Sequence, residues 1–133
     1  MINAHKTNLG AYKQAYAITN GYAIEIIGFC IGNGGHNPLN GNPVSVDRNV
    51  SVLPNQLYKS ENVSVSVVDS TTLKVECTLV NGECTGVSIS NIGLLAKVVG
   101  DDREESEFLY AIANFSESDR EEGNLKFIIN IHN

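Results

Sequence analysis

The chain has 133 residues and a mass of 14.3 kDa, which suits one domain, 1–133; its 42% hydrophobic residues can fill a core, since folding at this size buries roughly two-thirds of the accessible surface. Nine basic residues against fifteen acidic ones leave a formal charge of -6, and the densest charge run, residues 101–107, is acidic, so a phosphate backbone is repelled and no nucleic-acid partner is expected. No stretch nears the roughly 18 consecutive apolar residues of a membrane span, and MINAHKTNLGAYKQAYAITNG is polar where a signal peptide needs an apolar run; no membrane partner is expected, and synthesis in a cytoplasm is.

In chain order, Leu9, Tyr12, Tyr16 and Thr19 recur at three- and four-residue steps, with Lys6, Lys13 and Gln14 elsewhere. This spacing predicts an amphipathic helix over about 4–19 despite Gly10, stopped by Asn20-Gly21. The stripe of Leu9, Tyr12 and Tyr16 is expected to cover a sheet edge, or to serve as a partner interface, since tyrosines are enriched there. Residues 22–31, YAIEIIGFCI, read as a buried strand that runs into Gly32-Asn33-Gly34-Gly35. Gly and Asn tolerate positive φ, so this run is expected as a tight turn. Gly, Asn and Pro continue through Pro38 to about Val46, as in a long excursion.

The second half alternates with period two. Val63, Val65 and Val67 stand against Ser64 and Ser66; Leu73, Val75, Cys77 and Leu79 against Lys74, Glu76 and Thr78. Asn81-Gly82 favours a two-residue hairpin with both φ values positive. That turn places Leu79 opposite Cys84 and Cys77 opposite Gly86, leaving the two thiols on a diagonal of about 7–8 Å, at or beyond the reach of an unstrained disulfide. Cys30, Cys77 and Cys84 are therefore read as thiols. Val87 and Ile89 continue the alternation, but Ile92, Leu94 and Leu95 fall out of phase around Gly93, as a bulge or bend requires. Residues 108–115, FLYAIANF, are apolar on both parities and read as a central strand. Leu125, Phe127, Ile129 and Ile131 alternate in a final strand, with acidic loops expected at 101–107 and 116–123. The fold class is thus α+β, mainly β: an N-terminal helix, then an antiparallel β-sandwich of about six strands over about 22–132.

Chemistry finds little purchase. The glycine run lacks the Lys-Ser/Thr of a phosphate loop, and His5, His36 and His132 sit in no metal-ligand spacing. No GxSxG elbow occurs. Cys77 shares its parity with Leu73, Val75 and Leu79, which predicts an inert buried thiol. The pairs Glu104-Glu105 and Glu121-Glu122 fall in polar loops, where nothing raises a carboxyl pKa. No catalytic residue, cofactor or metal is expected.

The order of these features resembles one family. Asn8-Leu9-Gly10-Ala11 on the helix, Ile31-Gly32-Asn33-Gly34-Gly35 with Pro38, Asn91-Ile92-Gly93-Leu94-Leu95, and Ala111-Ile112-Ala113-Asn114-Phe115 are similar to the ordered motifs of phage tail-collar fibre proteins. Gly35 comes one residue earlier than a strict GxGxG places it, and Asn91 stands where the family has an acidic residue. The resemblance implies a virion protein that joins fibres to the tail or baseplate, with other tail proteins and fibres as partners. It also implies homo-oligomers, trimers in particular. Long members continue into a fibre shaft, whereas this sequence stops at Asn133, from which an adaptor role is expected. The alternative is a lectin-like sandwich that binds carbohydrate, which calls for exposed aromatic platforms.

Overall fold

The computed structural model describes residues 2–100 and 107–132. Strand β1 (Ile2–Lys6) comes first, then helix α1 (Asn8–Asn20), then β2 (Ala23–Gly32), β3 (Gln56–Ser60), β4 (Val63–Asp69) and β5 (Thr72–Leu79). β6 (Ser88–Val99), β7 (Phe108–Asp119) and β8 (Leu125–His132) follow. The strands form one eight-stranded sheet in the order β3-β2-β6-β7-β1-β8-β5-β4. It is mainly β with one short helix, but it is a curled open sheet and not the expected six-strand sandwich. Most of the 101–107 acidic loop lies outside the described residues.

Two strands escaped the sequence reading, and β1 is the one that matters for the architecture. Residues 4–6, assigned above to the helix, are extended. Ile2, Asn3 and Ala4 run parallel to Ile129, Asn130 and Ile131 of β8. His5 and Lys6 then pair antiparallel with Ile112 and Ala111 of β7. Five residues thus satisfy backbone groups on two strands that do not pair with each other, and they join β3-β2-β6-β7 to β8-β5-β4. The competing helix would have left both edges unpaired.

The helix starts where the capping chemistry is. Thr7 is extended and its hydroxyl accepts the Gly10 N–H at 2.9 Å, an N-cap; the same hydroxyl donates to the Leu109 carbonyl at 2.6 Å. At the other end Gly21 takes the left-handed conformation (φ 72), and its N–H and that of Tyr22 bond back to Ile18 and Ala17. Gly10 and Ala17 are the buried helix residues. A β-carbon at Gly10 would overlap the carbonyl oxygen of Tyr110, so the glycine is what lets the helix lie against β7.

The curl follows from a short link. β3 and β4 occupy opposite ends of the strand order, yet only Glu61 and Asn62 separate them. Three Cα steps span at most about 11 Å, so the sheet must bend until its two ends nearly meet. A chain passing from one half-sheet to the other in this way makes the corner of a sandwich-like core.

The larger core lies inside the curl and includes Phe29, Ile31, Val75, Leu79, Ile92, Leu94, Ile129 and Ile131, all essentially sealed. A smaller cluster of Cys30, Leu53, Leu95, Leu109 and Ile112, with Val46 and Val50 against it, lies under the long β2–β3 connection. β2, β6 and β7 are therefore covered on both faces, which is why their sequences are apolar on both parities.

Replacing Gly10 with Ala tests the helix–sheet contact. Helix propensity alone favours Ala by about 1 kcal/mol, whereas the overlap with the Tyr110 carbonyl costs more, as overpacking against backbone does. Urea denaturation of Gly10→Ala is expected to show a net loss of about 1–2 kcal/mol; a gain would mean the helix can lift off the sheet freely.

Candidate functional site

Three of the four segments that carried the family resemblance meet on three adjacent strands, the fourth, Asn8-Leu9-Gly10-Ala11, being on α1. In β2 and β6, Cys30, Ile31 and Gly32 stand beside Gly93, Ile92 and Asn91. In β6 and β7, Asn91, Ile92 and Gly93 stand beside Asn114, Ala113 and Ile112. IGNGG, NIGLL and AIANF are thus register neighbours.

The glycines of the loop do a different job from the one expected. Gly32, Gly34 and Gly35 do not have positive φ; the positive values fall at Gly21, Gly41, Gly82, Gly86, Gly100 and Gly123, and at Asn55 and Cys84. Gly32 is still strand. What these glycines provide is closeness: a β-carbon would lie 2.6 Å from the Asn91 side-chain oxygen at Gly32, 2.6 Å from the Pro54 carbonyl oxygen at Gly34, and 2.5 Å from the Asn114 side-chain oxygen at Gly35. Asn33 donates its N–H to the Asn55 carbonyl at 3.3 Å. The loop is pressed flat onto β6 and β7.

A polar brace holds it there. Ser90 is fully buried, and its hydroxyl accepts the Gly35 N–H at 3.1 Å and lies 2.8 Å from His36 Nδ1. His36 Nε2 lies 3.1 Å from the Glu117 carboxylate. Asn91 donates to the Pro54 carbonyl at 3.0 Å and Asn114 to the Val44 carbonyl at 2.9 Å. Serine, histidine and carboxylate in a row invite comparison with hydrolase triads, where imidazole Nε2 faces the serine and Nδ1 the carboxylate. Here the ring is reversed and the hydroxyl is sealed from solvent, so the row acts as a clamp between the loop, β6 and β7.

Beyond the brace the loop folds into a rigid tip. Asn37 donates its N–H to the Asn42 carbonyl at 2.7 Å, its carbonyl accepts from Gly41 at 2.8 Å, and its side chain accepts the Leu39 N–H at 2.9 Å. Val44 donates to Gly35 and Glu117 to Gly41, so the tip is tied to its own base and to β7. Pro38 and Leu39 cap the tip; Leu39 is 92% exposed. Glu117 belongs to β7, whose ladder reaches Asp119 opposite Ser88, so residues 116–119 are strand and not the expected loop.

The remaining predicted residues separate. Leu9 and Tyr16 are half-buried and pack on the larger core, while Tyr12 points away and is 66% exposed; the stripe is therefore not one surface. The buried helix face is instead set by Gly10 and Ala17, with Gln14 accepting from the Tyr110 hydroxyl at 3.2 Å. Gly93 does not end its strand. β6 runs on through Val99, with register shifts on either side of it, at Ile89/Asn91 and Leu94/Leu95, and a β-carbon there would lie 2.6 Å from Leu109 Cδ1 and 2.9 Å from Cys30 Sγ. Asn81-Gly82 does not form the expected two-residue hairpin. β5 pairs with β4 and β8, and Val80–Glu83 is a turn closed at 3.1 Å with positive φ at Gly82 and not at Asn81. Sequence reasoning missed its anchor, Arg120, which is buried and donates to the carbonyls of Val80, Glu83, Glu121 and Gly123. A lone arginine in an acidic loop gave no pattern to find it by.

All three cysteines are free thiols. Burial pushes Cys30 and Cys77 up to about 12 from 9.0, and the half-buried Cys84 is also raised, by the same cause. His132 lies 3.1 Å from the Thr72 hydroxyl and 3.3 Å from the Asn3 side chain. Among the described residues no group of three or more His, Cys, Asp or Glu is placed to hold a metal ion, and no helix is long and apolar enough to cross a membrane.

Comparison with family models, with curated proteins and with solved structures found no match for this chain.

The thiols give a direct check on this packing. A thiol reagent added to native protein near neutral pH is expected to modify Cys84 first and to reach Cys30 and Cys77 only on unfolding. Their raised values mean the folded chain keeps protons that the unfolded chain releases above about pH 9. The stability they contribute is complete below that pH and falls as pH rises towards about 12. In Cys77→Val the alkaline fall in unfolding free energy is expected to be shallower than in the unaltered chain.

Proposed function

We propose that this chain is a structural component of a phage tail, a short adaptor that attaches fibres to the tail or baseplate as part of a homo-oligomer such as a trimer. The observation that carries the reading is the convergence of IGNGG, NIGLL and AIANF on β2, β6 and β7, with Gly32 against Asn91 and Gly35 against Asn114. Motifs scattered over some eighty positions matter together when they build one piece of structure, and a resemblance resting on their order gains weight from it.

The adaptor reading has an anatomical counterpart. Contact energy in assemblies concentrates in a few apolar or aromatic anchors, and preorganised anchors lose least entropy on binding. Leu39, on a tip held by backbone and asparagine hydrogen bonds, is such an anchor, and Tyr12 offers a second on the exposed side of the helix. Catalysis has no place in this proposal; the buried Ser90 and His36 serve as the brace behind the tip. The carbohydrate-binding alternative needs aromatic platforms, and among the described residues Tyr12 is the one large aromatic side chain that is exposed.

The test is location. Labelled protein is expected in images of intact tails at the fibre or baseplate junction, and Leu39→Asp is expected to reduce its incorporation at least about tenfold, equivalent to about 1.4 kcal/mol, with the melting temperature unchanged. Absence of the protein from purified tails would overturn the proposal.

A further inference from the structure

Asparagine is chemically labile, and most so before glycine, which leaves the next backbone nitrogen unhindered to attack the side-chain amide. The chain has four such pairs: Asn20-Gly21, Asn33-Gly34, Asn40-Gly41 and Asn81-Gly82. Whether a pair reacts depends on the fold, which must leave the glycine nitrogen free and let its amide turn towards the side chain.

Three of the pairs are held. Gly21 donates its N–H to the Ile18 carbonyl at 3.3 Å, and the Asn20 side chain donates to the Tyr16 carbonyl at 2.8 Å. Gly41 donates to the Asn37 carbonyl at 2.8 Å, and the Asn40 side-chain oxygen accepts from Asn42 at 3.0 Å. Gly34 is pressed against Pro54, whose carbonyl oxygen lies 2.6 Å from the place of a β-carbon. Asn81-Gly82 differs on each count. Both residues are exposed, and nothing lies within 4 Å of where a Gly82 β-carbon would be. Among the described residues the Gly82 N–H makes no hydrogen bond. The turn is closed by its outer groups, Glu83 N–H to Val80 carbonyl, so its middle amide can rotate without breaking that bond. The Asn81 side-chain oxygen accepts the Gly123 N–H at 2.7 Å, a donor placed where negative charge develops when the amide carbon is attacked.

We infer that Asn81 is a site of spontaneous modification. The Gly82 nitrogen, having lost its proton to solvent hydroxide, bonds to Asn81 Cγ. The bond from Cγ to the side-chain nitrogen breaks, and that nitrogen takes a proton from water and leaves as ammonia. Water then opens the cyclic imide at either carbonyl, giving aspartate or, with the main chain rerouted through the side chain, isoaspartate. The position gives the change its consequence. Asn81 also donates its N–H to the Asn124 side chain at 2.9 Å. With Arg120, which bonds Val80 and Gly123, it ties the β5–β6 connection to the β7–β8 connection, and both of these cross between the half-sheets. Isoaspartate adds a main-chain carbon at this tie and a carboxylate near Glu83 and Glu121. The reaction loosens this corner and leaves the core intact.

This inference is independent of the tail reading. Peptide mapping by mass is the test, on the native full chain held for days at mildly alkaline pH. Asn81 is expected to convert at least about fivefold faster than Asn20, Asn33 or Asn40, roughly what one retained hydrogen bond is worth. In denaturant that lead is expected to vanish. As native protein converts, Cys84, on the same connection, is expected to become more reactive to thiol reagents while Cys30 and Cys77 stay protected. In Asn81→Gln, whose longer side chain closes a ring far more slowly, Cys84 reactivity is expected to stay constant over the same period. Conversion of Asn81 in the native chain no faster than at the other three would overturn the inference. So would a lead that persists unchanged in denaturant, or a Cys84 that opens equally in Asn81→Gln.

Discussion

Everything in this fold hangs on β1. Between β7 and β8 there is room for one strand, and five residues fill it by pairing first with β8 and then, after Ala4, with β7. Backbone N–H and C=O groups on both neighbours are satisfied by the same short segment. The helix cap continues the connection. Thr7 donates its N–H to the Tyr110 carbonyl at 3.0 Å and its hydroxyl to Leu109, so the turn from strand to helix is itself bonded to β7. Remove β1 and two half-sheets remain, linked only through the β3–β4, β5–β6 and β7–β8 connections.

The second constraint is closeness of approach. Gly10, Gly32, Gly34, Gly35 and Gly93 sit where a β-carbon would strike another backbone or a packed side chain. Helix, loop and sheet are drawn together at these points, and Ser90, His36 and Asn114 are hydrogen-bonded there, while the buried Asn91 side-chain oxygen against Gly32 has no partner. This is what makes the loop tip rigid enough to present Leu39 outward. Interior packing on both faces of β2, β6 and β7 and an apolar anchor at the surface are consequences of one device.

How much of this could be read from residues alone depended on the length and regularity of each signal. β5 and β8 alternate over eight residues, and their inner and outer faces were legible from that period, whereas β4 alternates in sequence but leaves Val65 and Val67 exposed. β1 was not, because INAHK has one buried residue, Ala4, and the strongest local signal nearby is helical. Its true boundary was written in Thr7, whose cap is unmistakable only once Gly10 is seen bonded to it. β3, five residues between Asn55 and Glu61, is defined by its partner β2 more than by its own composition. For the loop, glycine signals positive φ and close approach equally well, and no neighbour in sequence says which. The tyrosine stripe misled because Tyr12 and Tyr16 are one turn apart but straddle the boundary of a narrow buried face. Arg120 needed four carbonyls from two loops to acquire its role.

β1 holds the two half-sheets as one cooperative unit. Native-state hydrogen exchange on Ala4→Pro, which removes a donor from the middle of β1, tests it most directly. If the claim holds, amides of β2, β6 and β7 and amides of β5 and β8 lose protection together, by the same increment, because both halves share the staple. Loss confined to β1 while β7 and β8 keep their protection would contradict it.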